Sequence, residues 1–219
     1  MTMCLELQRL SRHTALKNRS GPKVRLSRRL GVPLTPKAAR IMQRRSSPPG
    51  QHGSNAHATR KLSDYKMQLL EKQKLRAQYN IHERQMAVAY AKAIRMKGAS
   101  DENLIQVLET RLDALVLRAG FASTIYAARQ LVTHGHFLVN GHPVNVPAYR
   151  LRVGDVVQVK PRSRTLALFG TRLDAIPPCQ VPYIEASREH LSFRLVRLPK
   201  RAEVPVICDV PRVIEYYSR

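Results

Sequence analysis

The hydrophobic period of this chain changes near residue 135, and that change limits its fold more than any other feature. Before it, apolar residues recur every three or four positions, the spacing of one helix face. Leu104, Val107, Leu108, Leu112, Leu115, Val116 and Ala119 mark one such face, predicted to run from a cap at Asp101 to Gly120. Ser123 then caps a shorter helix with Ala127, Ala128, Leu131 and Val132 inside and Gly135 at its C′ position. After it the period is two. Phe137 to Val139, Val144 to Val146 and Val156 to Val159 read as short strands. Asn140-Gly141 signals a tight hairpin turn and Gly154-Asp155 another. Residues 101–162 therefore form a small αα-β module, able to hold a rigid basic surface without enclosing a catalytic pocket.

Upstream, Ser63 is a good N-cap and Asp64 lies in the first turn, where the helix dipole favours negative charge. That helix is predicted to end at Asn80. A second spans Glu83 to Lys97, with Met86, Ala89, Tyr90, Ala93 and Ile94 inside and Gly98 closing it. Downstream, Pro161 to Pro178 reads as either helix or extended chain. Tyr183 to Glu185, Leu191 to Leu198 and Val213 to Tyr217 read as strands that pack back onto the earlier helices. Residues 21–62 are dense in Gly and Pro and poor in large apolar residues, so they read as an extended basic arm that a partner orders. Residues 1–20 read as a basic extension rather than a transit peptide. The expected fold class is α+β: a helical body (63–100 with 163–219) with C-terminal strands, an inserted small αα-β module (101–162), and a basic N-terminal arm (1–62).

Charge then speaks to partners. The formal net charge is +23. Residues 1–100 carry 22 Lys and Arg against 4 acids, and residues 101–219 carry 16 against 11. Such an excess calls for a polyanion, and its asymmetry points to nucleic acid. No apolar run is long enough to span a bilayer, so no membrane partner is expected. Trp is absent and aromatics make up 5% of the chain, so stacking of bases on aromatic rings is not the main binding mode. The three cysteines, Cys4, Cys179 and Cys208, are too scattered for a disulfide framework or a zinc knuckle. His134 and His136 lack further ligands at suitable spacing, His142 lying across the turn. No metal, cofactor or small-molecule substrate is expected.

The residues then reach a recognisable pattern. The 101–162 module resembles the RNA-binding module shared by the fourth protein of the small ribosomal subunit, some tRNA synthetases and some pseudouridine synthases. Outside it stand Gly21-Pro22-Lys23, Leu26-Ser27-Arg28-Arg29, Gly31, Pro48-Pro49-Gly50-Gln51-His52-Gly53, Leu62-Ser63-Asp64-Tyr65, Glu71-Lys72-Gln73-Lys74-Leu75-Arg76, Glu83-Arg84-Gln85 and the closing Val213-Ile214-Glu215-Tyr216-Tyr217-Ser218-Arg219. Together these resemble the ribosomal protein family itself across residues 21–219. The resemblance implies a structural constituent of the small subunit that binds its ribosomal RNA early in assembly. It further implies neighbours including the fifth protein, a place near the messenger entry channel, a contribution to translational accuracy, and a cytoplasmic, ribosome-bound location. A bacterial and an organellar ribosome both remain open.

Two departures stand out. Many family members carry Cys-x-x-Cys after Gly-Pro-Lys; here those positions are Val24 and Ser27, which supply no thiolate. The segment between Gly53 and Leu62 is longer and less basic than the family's, with only Arg60 and Lys61 at matching basic positions. Arg111-Leu112-Asp113, and again Arg172-Leu173-Asp174, repeat the catalytic signature of pseudouridine synthases. The chain after Asp174 is too short to supply their catalytic domain, so no enzyme is expected and Asp113 reads as bridging a basic group along its helix.

The expected RNA contacts follow. In the arm they are Lys23, Arg25, Arg28, Arg29, Arg44, Arg45, Gln51, His52, Arg60 and Lys61. In the body they are Lys72, Lys74, Arg76 and Arg84. In the module they are Arg111, Arg118, Arg129, His136, Asn140, Arg150, Arg152 and Lys160, with Arg162 at its end. Phosphate and 2′-hydroxyl contacts should dominate, because A-form helices hide their base edges. Gln51-His52-Gly53 is a stiff turn that either wedges against RNA or only redirects the chain.

Overall fold

The structure is a computed structural model that describes residues 21–50, 53, 63–166, 169 and 181–219. Its helices are α1 (Lys23–Leu30), α2 (Pro36–Arg44), α3 (Asp64–Gln78), α4 (Glu83–Arg95), α5 (Ser100–Glu109), α6 (Leu112–Arg118), α7 (Ile125–Thr133), α8 (Pro161–Arg164) and α9 (Val210–Ser218). The strands are β1 (Phe137–Val139), β2 (His142–Pro143), β3 (Val156–Val159), β4 (Ile184–Ser187) and β5 (Ser192–Leu195). They make one antiparallel sheet in the order β2-β1-β3-β5-β4. The class is α+β, as the period change requires.

The arm departs from its expected extended form. Its turn formers punctuate two short helices rather than breaking structure. Pro22 precedes α1, and Gly31 closes it at φ 71°, a left-handed conformation that costs glycine little. Thr35 accepts from the Ala38 amide at 3.1 Å, and Pro36 opens α2 where a missing N–H costs nothing. Ser27 is fully buried; its hydroxyl donates to the Lys23 carbonyl (2.9 Å) and accepts from the Leu34 amide (3.2 Å). With Leu30, Val32 and Ala38 it forms a small buried set of its own.

The long apolar face at 104–119 is broken into α5 and α6. No Gly or Pro marks the break. Long-range backbone bonds make it: the Leu112 amide donates to the Tyr149 carbonyl (2.8 Å), the Asp113 amide to Pro147 (3.3 Å), and the Leu151 amide to Thr110 (2.9 Å). Arg111 is extended and bridges Arg150. Leu104, Val107 and Leu108 of α5 and Leu112, Leu115 and Val116 of α6 are all buried in one core, so the apolar spacing survives the break. Thr124, rather than Ser123, caps α7, accepting from the Ala127 amide at 3.2 Å. The strand expected at Val144 to Val146 ends at Pro143.

The C-terminal expectation is corrected twice. β4 and β5 do not lie on the helical body. They extend the module's sheet, with Val157 opposite Phe193 and Gln158 opposite Ser192. The segment from Val213 to Tyr217 is helical within α9, despite its β-branched and aromatic residues. Val210, Val213, Ile214 and Tyr217 recur at helical spacing, and α9 packs on α3. One core joins all these parts, with Leu75, Met86, Leu104, Leu115, Phe137, Tyr183 and Leu195 buried in it. Each such side chain stabilises the fold by about 1.5–3 kcal/mol relative to exposure.

Candidate nucleic-acid interface

Glu71, Glu83, Glu109 and Asp113 are committed to cations of the fold itself. Glu83 accepts from Lys72 (2.8 Å), Arg76 (3.0 Å) and the Tyr217 hydroxyl (2.6 Å), tying α3, α4 and α9 together. Burial opposes ionisation of Glu83, but the hydrogen bonds from Lys72 and Tyr217 outweigh it and hold the carboxyl below its ordinary range. Lys72 is itself buried and sits 4.1 Å from the centroid of the Tyr216 ring. Lys74 pairs with Glu71 at 2.6 Å. Three of the four cations expected as RNA contacts in the body are therefore braces of the fold, and Arg84 alone of that group lies exposed.

Two module arginines are likewise turned inward. Arg111 is buried and makes a two-point pair with Asp113, at 2.9 and 2.7 Å. Asp113 bridges a basic group as expected, but two residues away and at the head of α6. Arg118 donates to Glu109 at 2.6 Å, and the same carboxylate takes the hydroxyls of Tyr79 and Tyr183 (2.8 Å). Burial opposes the charge of Arg118, yet Glu109 keeps its guanidinium protonated above the ordinary range. Arg129 donates to the Asn80 carbonyl at 2.9 Å, fixing the α3–α4 turn against α7.

Other module candidates sit at the surface with partial commitments. Asn140 adopts φ 49° in the hairpin turn. Its amide donates to Asp155 (2.9 Å) and accepts from the Val156 amide (2.9 Å), which pins the turn to β3. His136 lies 2.9 Å from the Ser163 hydroxyl. Burial, with His134 and Lys160 nearby, pushes its imidazole below the usual value, so at neutral pH it contributes hydrogen bonding rather than charge. Arg152 and Arg162 are exposed, and Lys160 is half-buried.

The arm supplies the densest free charge. No Asp or Glu occurs between Glu6 and Asp64. Arg25 and Arg29 lie exposed on α1, and Lys37, Arg40, Arg44 and Arg45 on and just beyond α2. Lys37, Arg40 and Arg44 recur on one face of α2. Lys23 stands 4.5 Å from the centroid of the Tyr126 ring on α7. Arg28 has a structural task, donating to the Ser47 carbonyl at 3.1 and 2.8 Å. Gln51, His52, Arg60 and Lys61 lie outside the described residues.

A further basic stripe was not singled out from the sequence. Arg84, Val88, Lys92 and Arg95 follow one another at helical spacing on the outer face of α4, and all four are exposed. The spacing alone carries this signal, on the face opposite the apolar one. The stripe borders a cleft of about 250 Å³ lined by Arg84, Val88, Ala89, Leu108, Arg111 and Arg150, among others. Burial and the adjoining Arg111 both push the Arg150 guanidinium below its ordinary range. Lys92 is lowered too, by burial and by Arg150. The thiol of Cys208 is pushed up to about 12, chiefly by burial. Among the described residues no cluster of three His, Cys, Asp or Glu side chains could hold a metal ion. No described helix is long and apolar enough to cross a membrane.

Comparison with known proteins adds an independent line. Residues 18–109 match the family described as Ribosomal protein S4/S9 N-terminal domain, and residues 110–157 match the S4 domain. The two matches meet at the α5–α6 break. The chain is 54% identical over 202 residues to small ribosomal subunit protein uS4 of Tropheryma whipplei, covering 90% of this chain and 97% of that protein. It is 50% identical over 210 residues to the protein of the same name from Streptomyces griseus, covering 93% and 100%.

Proposed function

The chain belongs to the ribosomal protein S4 family, and from that premise we propose that it binds small-subunit ribosomal RNA directly and nucleates assembly of the subunit around it. It is a structural, non-enzymatic component of the ribosome. Its location is the ribosome itself.

The observation that carries the RNA reading is the acid-free run from residue 7 to residue 63. Over its described part, Arg25, Arg29, Lys37, Arg40 and Arg44 on α1 and α2 are exposed, with no carboxylate near in sequence to neutralise them. The module and body add Arg84, Lys92, Arg95, Arg150, Arg152, Lys160 and Arg162, while Lys72, Lys74, Arg76, Arg111, Arg118 and Arg129 brace the fold. A rigid body with an unneutralised cationic surface suits the phosphates of a folded RNA, whose shape rather than base sequence it reads. The finer expectations belong to the same reading: the fifth protein of the subunit as a neighbour, messenger RNA near the entry channel, and an effect on translational accuracy.

Binding of the purified chain to small-subunit ribosomal RNA across a salt series tests this. The expected log–log slope is at least about −5. A flat response would overturn the proposal.

A further inference from the structure

The cleft between α4 and the segment 147–151 differs from the rest of the basic surface, because charge and exposed apolar area meet in it. Arg111 lines it, but Asp113 already neutralises that guanidinium. Arg84 and Arg150 line it with no acidic partner among the described residues. Lys92 lies close enough to Arg150 for the two charges to repel. The floor is Val88, Ala89, Val107 and Leu108. Val88 is 60% exposed in the middle of an otherwise cationic stripe. Val88 thus offers an apolar contact among cations, suited to an apolar face that carries a negative charge nearby.

We propose that this cleft seats one unstacked nucleotide of the bound RNA, its phosphate held between Arg84 and Arg150 and its base laid against the exposed Val88, above the buried Ala89 and Leu108. The inference rests on the RNA-binding reading above and adds a specific subsite to it. A nucleobase has apolar faces and polar edges, and guanidinium planes stack on such faces while their N–H groups meet phosphate. A cleft of about 250 Å³ is on the scale of a single nucleotide and far too small for a paired stem. The wall that carries Arg150 is fixed by the backbone bonds to Thr110, Leu112 and Asp113, so the site is formed before RNA arrives. Preformed geometry lowers the ordering cost of binding.

The test uses the full chain and a small-subunit ribosomal RNA transcript, with filter binding across a salt series and chemical probing of base edges. The wild-type chain should protect one or two unpaired nucleotides that the double variant Arg84→Ala/Arg150→Ala leaves reactive. That variant should bind about tenfold more weakly, with a salt slope smaller by about 1. Val88→Trp fills the floor without altering charge. It should expose the same nucleotide while the slope stays within error of wild type. Arg84→Ala alone, at an exposed position, gives the same probing change should the double variant melt early. If the arginine variants leave the probing pattern unchanged while the wild type binds, the subsite is refuted and the general RNA reading stands. If Val88→Trp changes no base, the cleft holds only phosphate and the proposal is overturned. If the wild type binds no ribosomal RNA, both readings fall together.

Discussion

Arg118 reaches across the α5–α6 break to donate to Glu109 at 2.6 Å, and that one carboxylate also holds the hydroxyls of Tyr79 and Tyr183. Four elements meet there: the end of α3, the end of α5, the end of α6 and the residue just before β4. Glu109 and both tyrosines are fully or almost fully buried. The helical body and the module are joined at that point by a polar cluster set within the apolar core.

Removing Glu109 should therefore be costly. Glu109→Ala leaves the Arg118 guanidinium buried without its partner and two phenols without an acceptor. The expected loss is about 3–5 kcal/mol, read as a lower urea midpoint at unchanged slope. Glu109→Leu combined with Arg118→Met should recover much of it, because neither charge then remains unpaired. A loss under about 0.5 kcal/mol in the single variant would contradict this role.

Glu83 makes stability depend on acid. Its folded-state pKa lies below its ordinary value of 4.5. Its contribution is therefore fully present above that value and is lost as pH falls through the depressed folded value. Urea midpoints measured from neutral pH to about pH 3 should fall more steeply for wild type than for Glu83→Gln. Parallel curves would refute the linkage.

The cations of α1 and α2 should act on binding and not on folding. Arg25, Arg29, Arg40 and Arg44 are exposed. Replacing all four by Ala should leave the melting temperature within about 2 °C. It should also weaken ribosomal RNA binding and reduce the salt slope by roughly 0.7–0.9 for each phosphate that is no longer neutralised. A melting shift larger than the binding change would assign these residues to the fold.

Cys208 should be a quiet thiol. With its pKa pushed up to about 12, almost no thiolate exists near neutrality. An aromatic disulfide reagent at about pH 8 should modify it far more slowly in the folded chain than in urea. Equal rates would show that burial does not protect it.

The sequence was most legible where one local pattern decides the outcome. Asn140-Gly141 made its hairpin turn, Gly135 closed α7, and Ser63 capped α3 through the Lys66 amide at 3.4 Å. The α+β class and the family followed from such patterns. Legibility failed where a distant segment decides. Nothing local in Thr110-Arg111 announces a break, since the carbonyls and amides of 147–151 impose it. In α9 the β-branched and aromatic Val213, Ile214 and Tyr217 favour strand, but helical spacing and Pro211 in the first turn prevail. In the arm, Gly31 and Pro36 were read as breakers when they serve as caps. Among the expected RNA contacts, charge was visible but its commitment was not. Lys72, Arg76, Arg111 and Arg118 are indistinguishable from Arg84 in sequence until Glu83, Asp113 and Glu109 are found beside them.

The pairing of β5 with β3 also sets a timetable for synthesis. A nascent chain halted before residue 192 would leave Val157 and Gln158 paired with β1 alone, their other edge an open flank able to recruit stray strands. α3 would likewise wait for α9, the final helix, before its cover arrives. Maturation of the fold is thus deferred until residues 192–195 and 210–218 have been made, and a chain stopped short of them would be an adhesive fragment rather than a smaller working protein.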